Sequence, residues 1–222
     1  MGLTDLFSAS GGDVKNLRDV LIDELKDLYS AENQLLKALP NMEKKASSSK
    51  LKQAFRSHLQ ETQMQVKRLD QIATVMGEKL SGKTCKAMKG LIEEGNEVIS
   101  EESENPSLID TLLIGAAQRV EHYEIAGYGT ARAIANCLGE TKVAKLLDAT
   151  IKEEGAADKK LTQISEQDVL VAAMKSAKKV GREKAEQPKV KASSRGKSAK
   201  GTAKGPSSGS SRGKKGRGEA RM

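Results

Sequence analysis

Residues 51–72 read LKQAFRSHLQETQMQVKRLDQI and residues 143–164 read VAKLLDATIKEEGAADKKLTQI. A shift of 92 positions lays Leu51, Phe55, Leu59, Leu69 and Ile72 of the first stretch on Val143, Leu147, Ile151, Leu161 and Ile164 of the second. The apolar residues keep to one helical face, and their recurrence at a fixed offset is what two copies of one helical hairpin produce. Carboxylates follow the same shift. Glu61 falls on Glu153 and Glu32 on Glu124, and within each copy the two acids stand 29 apart. A hairpin with an acid on each apolar face, present twice, can gather four carboxylates in one bundle core. Buried carboxylates need compensation, and a pair of metal ions provides it.

Working outward, a first helix capped by Asp13 carries the stripe Leu17, Leu21, Leu25, Leu28, Leu35 and Leu39, with Glu32 inside it. Ser47, Ser48 and Ser49 interrupt the pattern, and a second helix follows over about 50–75, stopped by Gly77. Asn105, Pro106 and Ser107 supply a cap and a first-turn proline for a third long helix to about Asn136, and Gly139 breaks it before a fourth over about 141–164. About 27 residues join the hairpins, with a short helix near 86–100. That length can run along the whole bundle, since a 26-residue helix spans roughly 40 Å. Two short hairpins with one long crossover is ferritin-like connectivity. The expected fold is therefore all-α: a ferritin-like four-helix bundle over 13–166, after an arm at 1–12. A short helix or linker follows over 167–186, then a disordered tail over 187–222.

Charge divides the 222 residues unequally. From Lys175 onward 16 Lys or Arg face 3 Asp or Glu, a net of +13, so the formal +8 of the chain leaves −5 for the first 174 residues. The tail's Lys189, Lys191, Arg195, Lys197, Lys200, Lys204, Arg212, Lys214, Lys215, Arg217 and Arg221 stand among Gly, Ser and Ala with no aromatic residue. Such a segment cannot bury enough apolar area to offset chain entropy. It is suited to sequence-indifferent contact with DNA phosphates and lacks the aromatic platform that base stacking requires; a solvating extension is the alternative. Cys85 and Cys137 show no ligand-like spacing and are expected as reduced thiols. No signal-peptide pattern and no stretch of some 20 apolar residues occurs, so the expectation is a cytoplasmic protein without membrane contact, nucleoid-associated if its tail meets DNA.

The helices offer Glu32 on the first, His58 and Glu61 on the second, Glu121 and Glu124 on the third, and Glu153, Glu154 and Asp158 on the fourth. Spacings of three and four place His58 with Glu61, Glu121 with Glu124, and Glu154 with Asp158 on shared faces. The four-Glu, two-His set of di-iron bundles uses Glu-x-x-His, yet Met64 follows Glu61 by three and Ala156 follows Glu153 by three. Acidic substitutes such as Glu121 and Asp158, or Gln65, would complete an oxygen-rich shell. His58, beside Phe55 and Leu59, reads first as a core histidine and second as a ligand. Tyr123 and Tyr128 read as packing and hydrogen-bonding residues.

The segments DLYSAENQLLKALP (27–40), HLQET (58–62), AAQRVEHYEIAGYGT (116–130) and EEGAADKKLT (153–162) resemble the YciE/YciF family of bacterial stress-associated ferritin-like proteins, over about 16–165. The resemblance implies a rubrerythrin-like four-helix fold, a homodimer and a dinuclear iron or manganese centre. It places metal-binding potential on Glu32, Glu61, Glu121, Glu124, Glu154 and Asp158, and leaves Glu153 against Glu154 open. The expected function is a stress-protective ferroxidase or peroxide-consuming centre acting on O2 or peroxide, held near DNA by the tail. The alternative is a dimeric scaffold that needs no metal.

Overall fold

The computed structural model describes residues 14–177, all of whose regular structure is helical. Five α-helices run in the order α1 (Leu17–Lys45), α2 (Ser49–Met76), α3 (Lys86–Ser100), α4 (Pro106–Cys137) and α5 (Thr141–Ile164). Among the described residues, no helix is long and apolar enough to cross a membrane.

Local chemistry sets most boundaries. Asn16 caps α1, its side chain accepting from the backbone N–H groups of Arg18 and Asp19 at 2.9 and 3.1 Å. The cap is thus three residues later than the Asp13 expected from sequence, and Leu17, the first apolar residue of the stripe, lies half exposed at the helix entrance. Ser48 caps α2, and Asn105 caps α4 with Pro106 in its first turn. Gly77 ends α2 at a φ of 66° and Gly139 follows α4 at 75°, a left-handed backbone that a side chain would strain. The short helix expected after residue 165 is continuous with α5. A π-helical turn, Ser165–Val169, passes straight into helix up to residue 177.

α1 packs on α2 and α4, α5 packs on α2 and α4, and α3 lies against α1 and α4. The end of α1 and the start of α2 share one apolar cluster with the start of α4 and the end of α5. It holds Leu35, Leu39, Leu51, Phe55, Leu113, Ile114, Leu161 and Ile164. The opposite ends share a second, with Leu21, Leu25, Leu28, Leu69, Ile72, Ala131, Val143 and Leu147. Neighbouring long helices are therefore antiparallel, and α2 and α4 are parallel. The chain between them must return along the bundle, which is the work of the crossover that contains α3. The repeat is visible in burial: Leu51 and Val143, Phe55 and Leu147, Leu69 and Leu161, and Ile72 and Ile164 are all buried. Gly127 lets α4 approach α1 closely, since a Cβ there would meet Leu28 Cδ2 at 3.0 Å.

One buried acid has a purely structural setting. Asp110 of α4 accepts from Ser47 N–H at 2.7 Å, Ser47 Oγ–H at 2.5 Å and Ser48 N–H at 2.8 Å, which fixes the α1–α2 turn to the neighbouring hairpin. Replacing Asp110 with Ala strands these donors. Hydrogen bonds to a charged group contribute about 1.5–3 kcal/mol each, with strong coupling within one cluster, so a loss of about 3 kcal/mol in urea unfolding is expected. Asp110→Asn should lose less, because its carbonyl oxygen still accepts.

Candidate metal centre

Between the two apolar clusters lies a polar layer. Glu32 of α1, His58, Thr62 and Gln65 of α2, Glu121 and Glu124 of α4, and Glu154 of α5 are all buried. Each holds an inward place on its helix: Glu32 stands four after Leu28 and three before Leu35, and Glu154 seven before Leu161. Ligand atoms of His58, Glu121, Glu124 and Glu154 all lie within 4.8 Å of one another.

Partners fix some of these groups and leave others bare. Tyr128 donates its hydroxyl to Glu32 Oε1 at 2.5 Å. Gln65 donates its amide N–H to Glu154 Oε1 and to Glu153 Oε2. His58 Nε2 stands 3.4 Å from Glu121 Oε1 and 4.0 Å from Glu154 Oε2, while Nδ1 is 3.4 Å from Glu61 Oε2. Yet Glu32 Oε2, His58 Nε2, Glu121 Oε2, both oxygens of Glu124 and Glu154 Oε2 are buried with no hydrogen-bond partner. Proteins seldom leave so many buried polar atoms unpaired in one place.

The other acids named from sequence occupy different positions. Glu153 turns toward Arg68, which grips both its oxygens at 2.7 and 2.8 Å and also reaches Thr150. Neighbouring residues on a helix point about 100° apart, so with Glu153 held by Arg68 it is Glu154 that enters the layer. Glu61, which shares the 92-residue offset with Glu153, is about half exposed beside His58. Asp158 accepts from Gln118 at 2.8 Å and stands 3.4 Å from the exposed His122. The tail residues from Lys189 to Arg221 fall outside the described residues. Arg68 was not singled out by sequence reasoning, although a cation adjacent to the core residue Leu69 was a signal that an acid waits nearby.

Alongside the layer, Tyr123 donates to Asp27 at 2.5 Å and lies 2.9 Å from the buried thiol of Cys85. With the phenol proton committed to Asp27, the thiol is the donor to the phenol oxygen. Burial, followed by the bond to Asp27, raises the Tyr123 hydroxyl.

Crowding governs the layer's protonation. Burial, reinforced by Glu154, raises Glu32 well above its ordinary value of 4.5. Burial and then the charges of Glu32 and Glu154 raise Glu124 well above 4.5. Burial, then Glu154, does the same to Glu121. Burial also raises Glu154, against the opposing pull of His58. Like charges in a dry layer share protons, or they need a cation among them.

Comparison with known proteins adds kinship. Residues 16–174 match the family described as a domain of unknown function, DUF892. The chain is 49% identical over 153 residues to Protein YciF of Escherichia coli K12, an alignment covering 68% of this chain and 92% of that protein. The crystal structure of the E. coli stress protein YciF superposes with a TM-score of 0.66 at 48% identity, over 68% of this chain and 96% of that one. YcfI of Rhodopseudomonas palustris, for which a structural role has been suggested, gives 0.66 at 42% identity over 69% and 98%.

The layer makes stability depend on pH in a stated sense. A carboxyl whose value is raised in the folded state keeps a proton that the unfolded chain releases above about 4.5. Its stabilising contribution is complete below that pH and is lost as pH rises through the folded value. Metal-free protein should accordingly lose stability as pH rises above about 4.5. Glu124→Gln should flatten that decline, measured by chemical unfolding in chelator.

Proposed function

The chain belongs to the DUF892 family, and from that membership and the polar layer we propose a ferritin-like stress-protection protein with a dinuclear iron or manganese centre. The observation that carries this reading is the set of buried carboxylate and imidazole atoms left without partners. Several carboxylate oxygens with one imidazole nitrogen suit iron or manganese, and a cation offsets the cost of keeping those charges from water. Glu32, Glu121, Glu124 and Glu154 would hold the ions with His58, and Glu61 and Asp158 stand nearby to complete a shell. Ions so held supply electron steps between M(II) and M(III) that serve ferroxidase or peroxide-consuming chemistry.

The protein's own groups prepare the place. Tyr128 holds Glu32 in one rotamer, and Gln65 does so for Glu154. Arg68 draws Glu153 aside, so that α5 adds one charge to the interior and not two. The apolar clusters above and below exclude water from the ends of the layer, and an opening lies between α2 and α5 beside His58 and Glu61.

In the same proposal, the chain works in the cytoplasm as a homodimer and meets DNA through its basic tail. The 16 Lys or Arg after Met174, against 3 acids, favour phosphate contact by counterion release. Placed there, the centre would remove iron or peroxide where radical damage is most harmful. A second reading, a scaffold that needs no metal, draws support from the structural role suggested for the R. palustris relative.

Protein purified without chelator should carry about two Fe or Mn per chain, as di-iron carboxylate bundles do. Metal at about 100 times its dissociation constant should stabilise the fold by about 2.7 kcal/mol. Replacing Glu32, Glu121 and Glu124 together with Ala should abolish the bound metal, along with Fe(II) oxidation and peroxide removal. Equal metal content in wild type and triple variant would leave the scaffold reading standing.

Truncation before Gln187 should abolish DNA retardation and leave metal content intact. Retardation of the full chain should fall by about 0.9 log unit per neutralised phosphate for each log unit of salt. No retardation by the full chain at about 50 mM salt would remove DNA from the proposal.

A further inference from the structure

A groove of about 590 Å³ opens between the start of α2 and the end of α5 and leads to the polar layer. Phe55, Ala157, Leu161 and Ile164 form its apolar wall, and His58 and Glu121 close its inner end. The π turn brings Gln167 and Asp168 to the rim, where Asp168 accepts from Lys50 Nζ at 2.8 Å. π turns inside helices are frequent at functional sites and displace side chains from the regular α-helical register.

The groove is too large for the smallest oxidants. A water molecule takes about 30 Å³ of liquid, and hydrogen peroxide has only one more oxygen atom. Organic ligands occupy clefts of about 300–1,000 Å³ whose walls are mostly apolar and whose polar groups are few and convergent. Here the convergent groups are His58 Nε2 and Glu121 Oε2, both buried and without a hydrogen-bond partner. Charge narrows the class of ligand. Beside His58, Glu61 and Glu121 line the groove and Glu154 stands behind the ring, so a carboxylate or phosphate headgroup meets acids there, while Lys50, paired with Asp168, and Lys160 belong to the rest of the lining. Four buried carboxylates also balance two divalent cations, which leaves an anion no net attraction at that end.

We propose that this groove binds the organic part of a neutral alkyl or aryl hydroperoxide, with its peroxide end at His58 and Glu121. The proposal rests on the peroxide-consuming reading of the centre. Reduction of such a substrate breaks its O–O bond with two electrons and two protons, ROOH becoming ROH and water. Two divalent ions held by Glu32, Glu121, Glu124, Glu154 and His58 would supply the two electrons, enough for one hydroperoxide per loaded centre in a single turnover.

The test uses the full chain and two variants at lining positions, Ala157→Phe and Ala54→Leu, that fill the groove without touching the layer. Cumene hydroperoxide and hydrogen peroxide are the substrates for metal-loaded protein. Metal content and hydrogen peroxide loss report the centre alone, so its failure is distinguishable from failure of the groove. Both variants should keep wild-type metal content and hydrogen peroxide loss, while consumption of cumene hydroperoxide falls at least about tenfold. In metal-free protein, 2-phenyl-2-propanol should shift the NMR signals of Phe55 and His58 in wild type and not in Ala157→Phe. The proposal is overturned if both variants consume cumene hydroperoxide at the wild-type rate, or if the alcohol moves wild-type and variant signals alike. Equal loss of both peroxides, with metal retained, overturns it as well.

Discussion

Four carboxylates buried in one layer between two apolar clusters are the constraint on which this bundle depends. The clusters drive folding by removing leucine, isoleucine and phenylalanine from water, and in doing so they force Glu32, Glu121, Glu124 and Glu154 into a place where charge is costly. Each long helix contributes to both clusters and crosses the layer between them. The acids therefore cannot escape to solvent without rotating a helix and exposing its apolar stripe.

The structure meets that cost unevenly. Tyr128 and Gln65 satisfy one oxygen each of Glu32 and Glu154, which fixes their direction, while the remaining oxygens face one another unpaired. Groups oriented by outer partners but empty-handed on their inner side have the organisation of metal ligands supported from behind. The burial that raises their proton affinity also sets the competition any metal must win, since each ligand gives up its proton on binding.

Around the layer, hydrogen bonds between the hairpins keep the helices in register. Asp110 ties the α1–α2 turn to α4, and Arg68 ties α2 to α5 through Glu153. The Cys85 thiol, accepting from Met88 N–H at the start of α3 while it donates to Tyr123, joins the crossover to α4, and Tyr123 joins it to α1 through Asp27. These contacts make the long connection part of the bundle.

The sequence by itself determined the helices, the cap at Asn105, their stops at Gly77 and Gly139, and the two-hairpin plan with its crossover. All of these follow from local backbone chemistry and from apolar spacing, which a single strand of text records. It also marked Glu32 and Glu124, because an acid deep inside a stripe has few other places to point. What it could not decide was rotation. Whether Glu153 or Glu154 enters the layer depends on Arg68, 85 residues before Glu153, taking one of them outward. Whether Glu61 is inside or at the mouth depends on how α2 is turned against α5. The offset of 92 treated Glu61 and Glu153 as equals of Glu32 and Glu124, yet both are drawn to the edge of the layer. His58, read first as a core histidine, came to face three carboxylates for the same reason. Helix rotation is set by packing between elements distant in the chain, so only the tertiary structure determines which acids share the dry layer.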